Sequence, residues 1–331
     1  SNAMFQTTSN FGIVVEQHLR RISFFSTDTL EILNQITLGY DFVDTAITSD
    51  CSNVVVTSDF CQTLVQIETQ LEPPKVVAIQ EGQSSMADVD ITPDDQFAVT
   101  VTGLNHPFNM QSYSFLKNKF ISTIPIPYDA VGIAISPNGN GLILIDRSSA
   151  NTVRRFKIDA DGVLFDTGQE FISGGTRPFN ITFTPDGNFA FVANLIGNSI
   201  GILETQNPEN ITLLNAVGTN NLPGTIVVSR DGSTVYVLTE STVDVFNFNQ
   251  LSGTLSFVKS FGHGLLIDPR PLFGANQMAL NKTETKLFIS ANISRELKVF
   301  TISGKVVGYV AGIEANGGIA ICHPDKHNRL K

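Results

Sequence analysis

The chain has 331 residues, a formal charge of −10 from 21 basic and 31 acidic side chains, and 42% hydrophobic residues that include 24 Phe but no Trp. Such a charge repels a phosphate backbone and an anionic membrane surface, and no run reaches the roughly 20 apolar residues of a membrane span, so neither a nucleic-acid partner nor a membrane span is expected. Cys51, Cys61 and Cys322 contain no Cys-x-x-Cys pair, which argues against a zinc knuckle, a haem attachment site and a disulfide framework; they read as small apolar residues or free thiols, and no cofactor is expected.

Ser1-Asn2-Ala3 ahead of Met4 has the composition of a cleaved tag, so residues 1–10 read as a tag remnant and a disordered N-terminus. If Met4 is the native start, no signal peptide follows it and a cytoplasmic location is expected; removal of a leader would leave an extracytoplasmic one open. Residues 11–38 then hold three strand-like runs, at 11–15, 21–26 and 32–38. Beyond them one phrase recurs: an alternating apolar strand, a tight turn of Pro, Asp, Asn and Gly, and a second apolar strand. Its clearest copy is Asn180-Ile181-Thr182-Phe183-Thr184-Pro185-Asp186-Gly187, followed by Phe189 to Asn194. Related copies lie at 46–50, 89–95, 133–139, 227–232, 279–284 and 318–325.

The last apolar residue before each turn gives a ruler: Ile47, Ile91, Ile135, Phe183, Val228, Leu280 and Ile321, with gaps of 44, 44, 48, 45, 52 and 41 residues. A period of about 46 is that of a four-stranded propeller blade. The last copy is an orphan strand at 317–322, and the first 38 residues lack a first strand. The two ends therefore complete each other. The expected fold is all-β: residues 11–331 form a single seven-bladed β-propeller of four-stranded antiparallel blades, closed by a C-terminal inner strand that joins three N-terminal strands.

Phe191-Val192-Ala193-Asn194 with Asn198-Ser199-Ile200-Gly201-Ile202-Leu203, behind the Pro-Asp-Gly turn, resembles the YVTN repeat proteins, whose blades are WD-like in length; the likeness covers essentially the whole chain. The chain is also similar to bacterial propeller lactonases of the 6-phosphogluconolactonase type. That resemblance implies a His-x-His pair ahead of the turn Asp and an Asp-Leu-Gly-x-Asp-Arg run after the second strand. Here Arg177-Pro178-Phe179 and Asn194-Leu195-Ile196-Gly197-Asn198-Ser199 stand in those places.

In a propeller the loops between blades share a face with those joining second to third strands, and ligands dock there at the mouth of the channel. The repeat puts Asp41, Asn105, His106, Asp146, Arg147, Arg177, Asn194, Arg270, Asn276, Arg295 and Glu314 on or near that face. Four of these are arginines, which suit carboxylate and phosphate recognition, so a small anionic ligand or a polypeptide is the expected partner. The plainer reading is that they pair with neighbours such as Asp41, Asp146 and Glu314. Residues 261–271 form a long connection on the same face, a lid or a tight surface excursion. His18, His106 and His263 fall in different blades, and His323 with His327 lies in the tail beyond the last strand, so no metal site is expected. No Gly-x-Ser-x-Gly elbow or phosphate-binding glycine loop is present. The first functional expectation is therefore a non-enzymatic binding or interaction propeller; the alternative is a diverged lactonase-type hydrolase in which Arg177, Asp146 or His106 takes a new role.

Overall fold

The computed structural model describes residues 10–102 and 106–323. Of the positions singled out above, the tag remnant with the segment up to Ser9, Asn105 and His327 lie outside the described residues. The recurring phrase folds as strand, turn and strand for a local reason. The Thr184 hydroxyl donates to Asp186 Oδ1 at 2.6 Å, the same oxygen accepts the Asn188 amide at 2.9 Å, and Gly187 N donates to Thr184 O at 2.9 Å. Thr48 with Asp50 (2.7 Å), Thr92 with Asp94 (2.6 Å) and Ser229 with Asp231 (2.6 Å) repeat the pairing. A hydroxyl and a carboxylate two residues apart thus satisfy the turn's own amides. The fourth turn position is left-handed, with φ of +73° at Gly187 and 62° at Cys51; glycine adopts it without steric cost.

Among the described residues 28 strands form seven four-stranded antiparallel sheets. The innermost strands are Phe42–Ile47 (blade 1), Asp88–Ile91 (blade 2), Ile133–Ile135 (blade 3), Pro178–Phe183 (blade 4), Ile226–Val228 (blade 5), Met278–Leu280 (blade 6) and Ile319–Ile321 (blade 7). Each touches the next, and Ile319–Ile321 touches both Met278–Leu280 and Phe42–Ile47, so the ring is closed. The wedges between blades are filled by large apolar side chains. Phe156 shares a cluster with Met110, Ile143 and Ile145 between blades 2 and 3. Between blades 4 and 5, Phe248 meets Phe189 and Phe191 edge-on at centroid distances of 5.0 and 4.9 Å. Phenylalanine supplies the area such wedges require with no polar atom to satisfy.

Blade 7 is built from both ends of the chain. Ile319–Ile321 pairs with Phe11–Glu16 through Gly12↔Ile321, Ile13↔Ala320 and Val14↔Ile319, and Arg21–Ser26 and Ile32–Thr37 continue outward. Cys322 N adds a bond to Phe11 O at 2.9 Å. At the other end of the strand the buried Glu16 carboxylate accepts Arg21 Nε at 2.7 Å and Glu314 N at 2.7 Å.

The other six innermost strands are tied to their second strands by a turn; this one has none. In its place Cys322 is disulfide-bonded to Cys51 in the turn of blade 1, with Cα atoms 5.4 Å apart across a sequence separation of 271. This corrects the reading of the cysteines as unpaired. Closure of the ring, not sequence proximity, brings the two together; Cys61 stays free and exposed. A crosslink closing so long a loop restricts the unfolded chain by up to about 5 kcal/mol. Cys322→Ala, or reduction, is therefore expected to lower the free energy of urea unfolding by about 2–5 kcal/mol, whereas Cys61→Ala leaves it within about 0.5 kcal/mol. Equal effects of the two substitutions would contradict the assignment.

Candidate active site

One residue before each member of the ruler, a side chain points into the central bore. The ring so formed is Ala46, Asp90, Ala134, Thr182, Val227, Ala279 and Ala320, one from each blade, and all seven line a cavity of about 270 Å³. Alternation along a strand explains the choice: the flanking Val89 and Ile91, Ile133 and Ile135, or Ile319 and Ile321 pack between blades, so the residue between them faces the axis. Toward the turn face the lining continues to Ser49, Pro93, Pro137, Pro185, Arg230, Glu284 and His323. The bore opens on that side.

At the opposite face the bore is blocked. Residues 262–277, ahead of Met278–Leu280, cross the mouth rather than running over the surface. Leu272 and Ala275 bury against Val43 of blade 1, and Phe273 packs with Val131, Phe179, Leu195 and Leu222. Asn180 Nδ2 donates to Gly274 O at 3.0 Å, Gln277 N to Thr225 Oγ1 at 2.8 Å, and Ile319 N to Asn276 O at 2.8 Å. A Cβ on Gly274 would lie 1.9 Å from Val131 O, so only glycine allows this approach. The long connection is a plug.

Beneath the plug a set of carboxylates laces neighbouring blades. Asp44 Oδ2 accepts Val89 N at 3.3 Å, Asp88 Oδ2 accepts Ile133 N at 3.0 Å, and Asp90 Oδ2 accepts Ile135 N at 2.8 Å. Asp44 and Asp88 are buried against each other, and burial pushes both carboxyls up from their usual value, Asp88 further because of the Asp44 charge beside it. The pair therefore holds its protons to higher pH than exposed carboxyls do. Asp90, two residues further along, is only half-buried and faces the cavity. Across the bore Asn276 lines the cavity with its Oδ1 3.5 Å from Asn180 Nδ2; its own Nδ2 donates no hydrogen bond among the described residues.

The residues expected at the mouth are held separately. Asp146 is buried: Val131 N (3.0 Å), Gly132 N (2.7 Å) and Ser148 Oγ (3.0 Å) donate to its carboxylate, yet burial outweighs these donors and raises its pKa to about 7. Arg147 lies 4.6 Å over the Tyr128 ring and pairs with Glu170 at 3.2 Å, not with Asp146. Arg270 pairs with Asp268 at 2.8 Å and Asp41 with Arg20 at 3.2 Å. Asn194 is buried, with Nδ2 on Ser173 O at 3.1 Å. His106 is exposed and stacks on Phe108; the side chains of Arg177, Arg295 and Glu314 are exposed. Of the ten, Asn276 alone lines the cavity. Asp90 and Thr182 were missed, although the ruler with a period of two locates them.

A family model described as "Lactonase, 7-bladed beta-propeller" matches residues 93–214. Over 135 residues the chain is 30% identical to the 6-phosphogluconolactonase of Bacillus subtilis, covering 38% of each. Over 169 residues it is 31% identical to a Shewanella oneidensis protein named Probable cytosol aminopeptidase 2, covering 46% of this chain and 33% of that one. The chain thus spans between 33% and 38% of the curated relatives it matches. Among solved structures, a candidate 6-phosphogluconolactonase of Bacteroides fragilis shares the fold with a TM-score of 0.74 at 15% identity, over 95% of this chain and 98% of that one. The lactonase match and the Bacillus relative overturn the first functional expectation, a non-enzymatic binding propeller, and favour the hydrolase that stood second.

The raised carboxyls fix the sign of a pH effect. Protons held by Asp44, Asp88 and Asp146 in the fold are released in the unfolded chain in the usual carboxylate range, so their contribution to stability is full below that range and is lost as pH rises through the raised values, about 6 for Asp44 and about 7 for Asp146. The melting midpoint is expected to be higher near about pH 5 than near about pH 8, and Asp146→Asn should flatten the difference. A midpoint that rises over this interval would contradict the assignment.

Proposed function

We propose that the chain is a lactonase-type hydrolase that opens its substrate inside the bore. The observation that carries this reading is a blind-ended cavity whose middle ring holds one carboxylate, Asp90, with the Asn276 amide on the far wall, beside the lactonase match over residues 93–214. Lactone hydrolysis requires a base for water and a donor for the carbonyl oxygen. In this reading Asp90 takes a proton from water as its oxygen attacks the carbonyl carbon, and Asn276 Nδ2 donates to the developing oxyanion. The ring C–O bond then breaks, the leaving alkoxide recovers the proton from Asp90, and a hydroxy acid departs.

The altered motifs support a shift of the chemistry into the bore. Phe179 stands where the resembling lactonases carry the second histidine of His-x-His, and it packs with Leu195 against Phe273 of the plug. Where polar groups would face an open mouth, this chain seats an apolar stopper.

The disulfide supports a proposal about location as well. A bond that secures the closing strand persists where thiols are oxidised, so we place the working protein in an oxidising compartment. Mass spectrometry after alkylation of protein from its native source is expected to find Cys51 and Cys322 linked.

Hydrolysis is measured by pH-stat on a panel of lactones. Asp90→Asn, chosen because the amide keeps the side chain's size, is expected to lower kcat roughly 10²–10⁴-fold while the melting midpoint moves by only a few degrees. Full activity in that variant would remove Asp90 from the reaction.

A further inference from the structure

The amide assigned to the oxyanion, that of Asn276, serves only if its Nδ2 end and not its Oδ1 end faces the bore. The two ends are alike in size, and hydrogen bonding alone tells them apart. The backbone on either side is fixed: Ile319 N of blade 7 donates to Asn276 O at 2.8 Å, and Gln277 N donates to Thr225 Oγ1, ahead of the innermost strand of blade 5, at 2.8 Å. These bonds hold the main chain of Asn276 in place and leave the sense of its side-chain amide open.

That choice falls to Asn180. It is buried within Pro178–Phe183, the innermost strand of blade 4. Its Nδ2 donates to Gly274 O of the plug at 3.0 Å; a carbonyl oxygen only accepts, so this contact decides which end of the Asn180 side chain is the donor. An amide nitrogen carries two hydrogens, and the same Nδ2 meets Asn276 Oδ1 at 3.5 Å, while the Thr182 hydroxyl meets Asn180 Oδ1 at 3.3 Å. Asn276 is thereby required to present its acceptor to blade 4, which turns its Nδ2 toward the cavity that both residues line.

We propose that Asn180 is a positioning residue of the reaction: it takes its own orientation from the plug backbone at Gly274 and hands it to the Asn276 amide, so that a donor faces the oxyanion. This rests on the hydrolase reading above and adds to it a residue that acts through Asn276. Asn180→Asp keeps the size of the side chain and reverses its sense. The carboxylate so introduced only accepts, so Asn276 Nδ2 turns to it and Oδ1 turns to the bore.

The experiment measures kcat and KM by pH-stat on the lactone of the panel that the unaltered protein hydrolyses fastest, using the full chain with its disulfide intact. Asn180→Asp is expected to lower kcat by about 10²–10³-fold, the loss of one oxyanion donor, with KM within about threefold because the donor acts in the transition state. Relative to the unaltered protein, the deficit shrinks as pH falls and the introduced carboxyl gains a proton to donate. In Asn276→Ala no amide is left to orient, so adding Asn180→Asp to it is expected to lower kcat by no more than about twofold further. Circular dichroism checks folding, and Asn180→Ala carries the same cycle if Asn180→Asp does not fold. Unchanged kcat in Asn180→Asp, or a double variant whose loss is the product of the single losses, would overturn the positioning role and leave the hydrolase reading standing. Full activity in Asn276→Ala overturns the donor and the positioning role together, and no turnover of any lactone by the unaltered protein overturns the hydrolase reading as well.

Discussion

A ring of seven wedge-shaped sheets holds its shape only if the last sheet meets the first, and here that junction is a three-residue strand with no turn of its own. Ile319–Ile321 is held by backbone pairing to Gly12, Ile13 and Val14, and by a disulfide that replaces the missing turn. Without them two blade faces and two strand edges would be open to solvent. The same strand supplies Ala320 to the bore, Gly318 against Asp44, and Ile319 N to the plug. Closure, bore and plug are therefore one mechanical unit.

The plug gives the bore its chemical character. With one end stopped by Leu272, Phe273 and Ala275, polar groups beneath it cannot reach water on that side, and each buried one has to be met by another group. The structure answers with carboxylates that accept amides from neighbouring blades and with a carboxyl pair whose pKa values burial raises. Asp90 is the member of this set that also faces the cavity. Its two roles, lacing blade 2 to blade 3 and facing the bore, are compatible because a carboxylate has about four acceptor sites. Phe179 and Leu195 of blade 4 and Phe273 of the plug pack together as one apolar stopper.

Much of the architecture was legible in the sequence because repeat and turn chemistry are local. The Thr-x-Asp and Ser-x-Asp pairs mark the first turns of blades 1, 2, 4 and 5, and the ruler residues mark each wedge. The closing strand followed from counting strands at the two ends. Three features were less legible, for one shared reason: each depends on groups from different blades brought together only by packing. Cys51 and Cys322 look unrelated until the last strand is laid beside blade 1. The connection after Phe261 reads as loop because its apolar residues, Leu272, Phe273 and Ala275, are few and interrupted by glycine and proline. Asp44 and Asp88 lie on different strands, so neither suggests a pair. The mouth arginines illustrate the converse: Arg147 and Arg270 were legible as cations, but their partners, Glu170 and Asp268, tie Arg147 to the surface of blade 3 and Arg270 to the plug.

Where a lactone sits in the crystal tests the account most directly. The Asp90→Asn variant soaked with a lactone that the unaltered protein hydrolyses should show the ligand within the bore, its carbonyl oxygen about 3 Å from the Asn276 amide. Ligand bound instead on the plugged face, against Arg177 and Asn194, would contradict a reaction chamber in the bore.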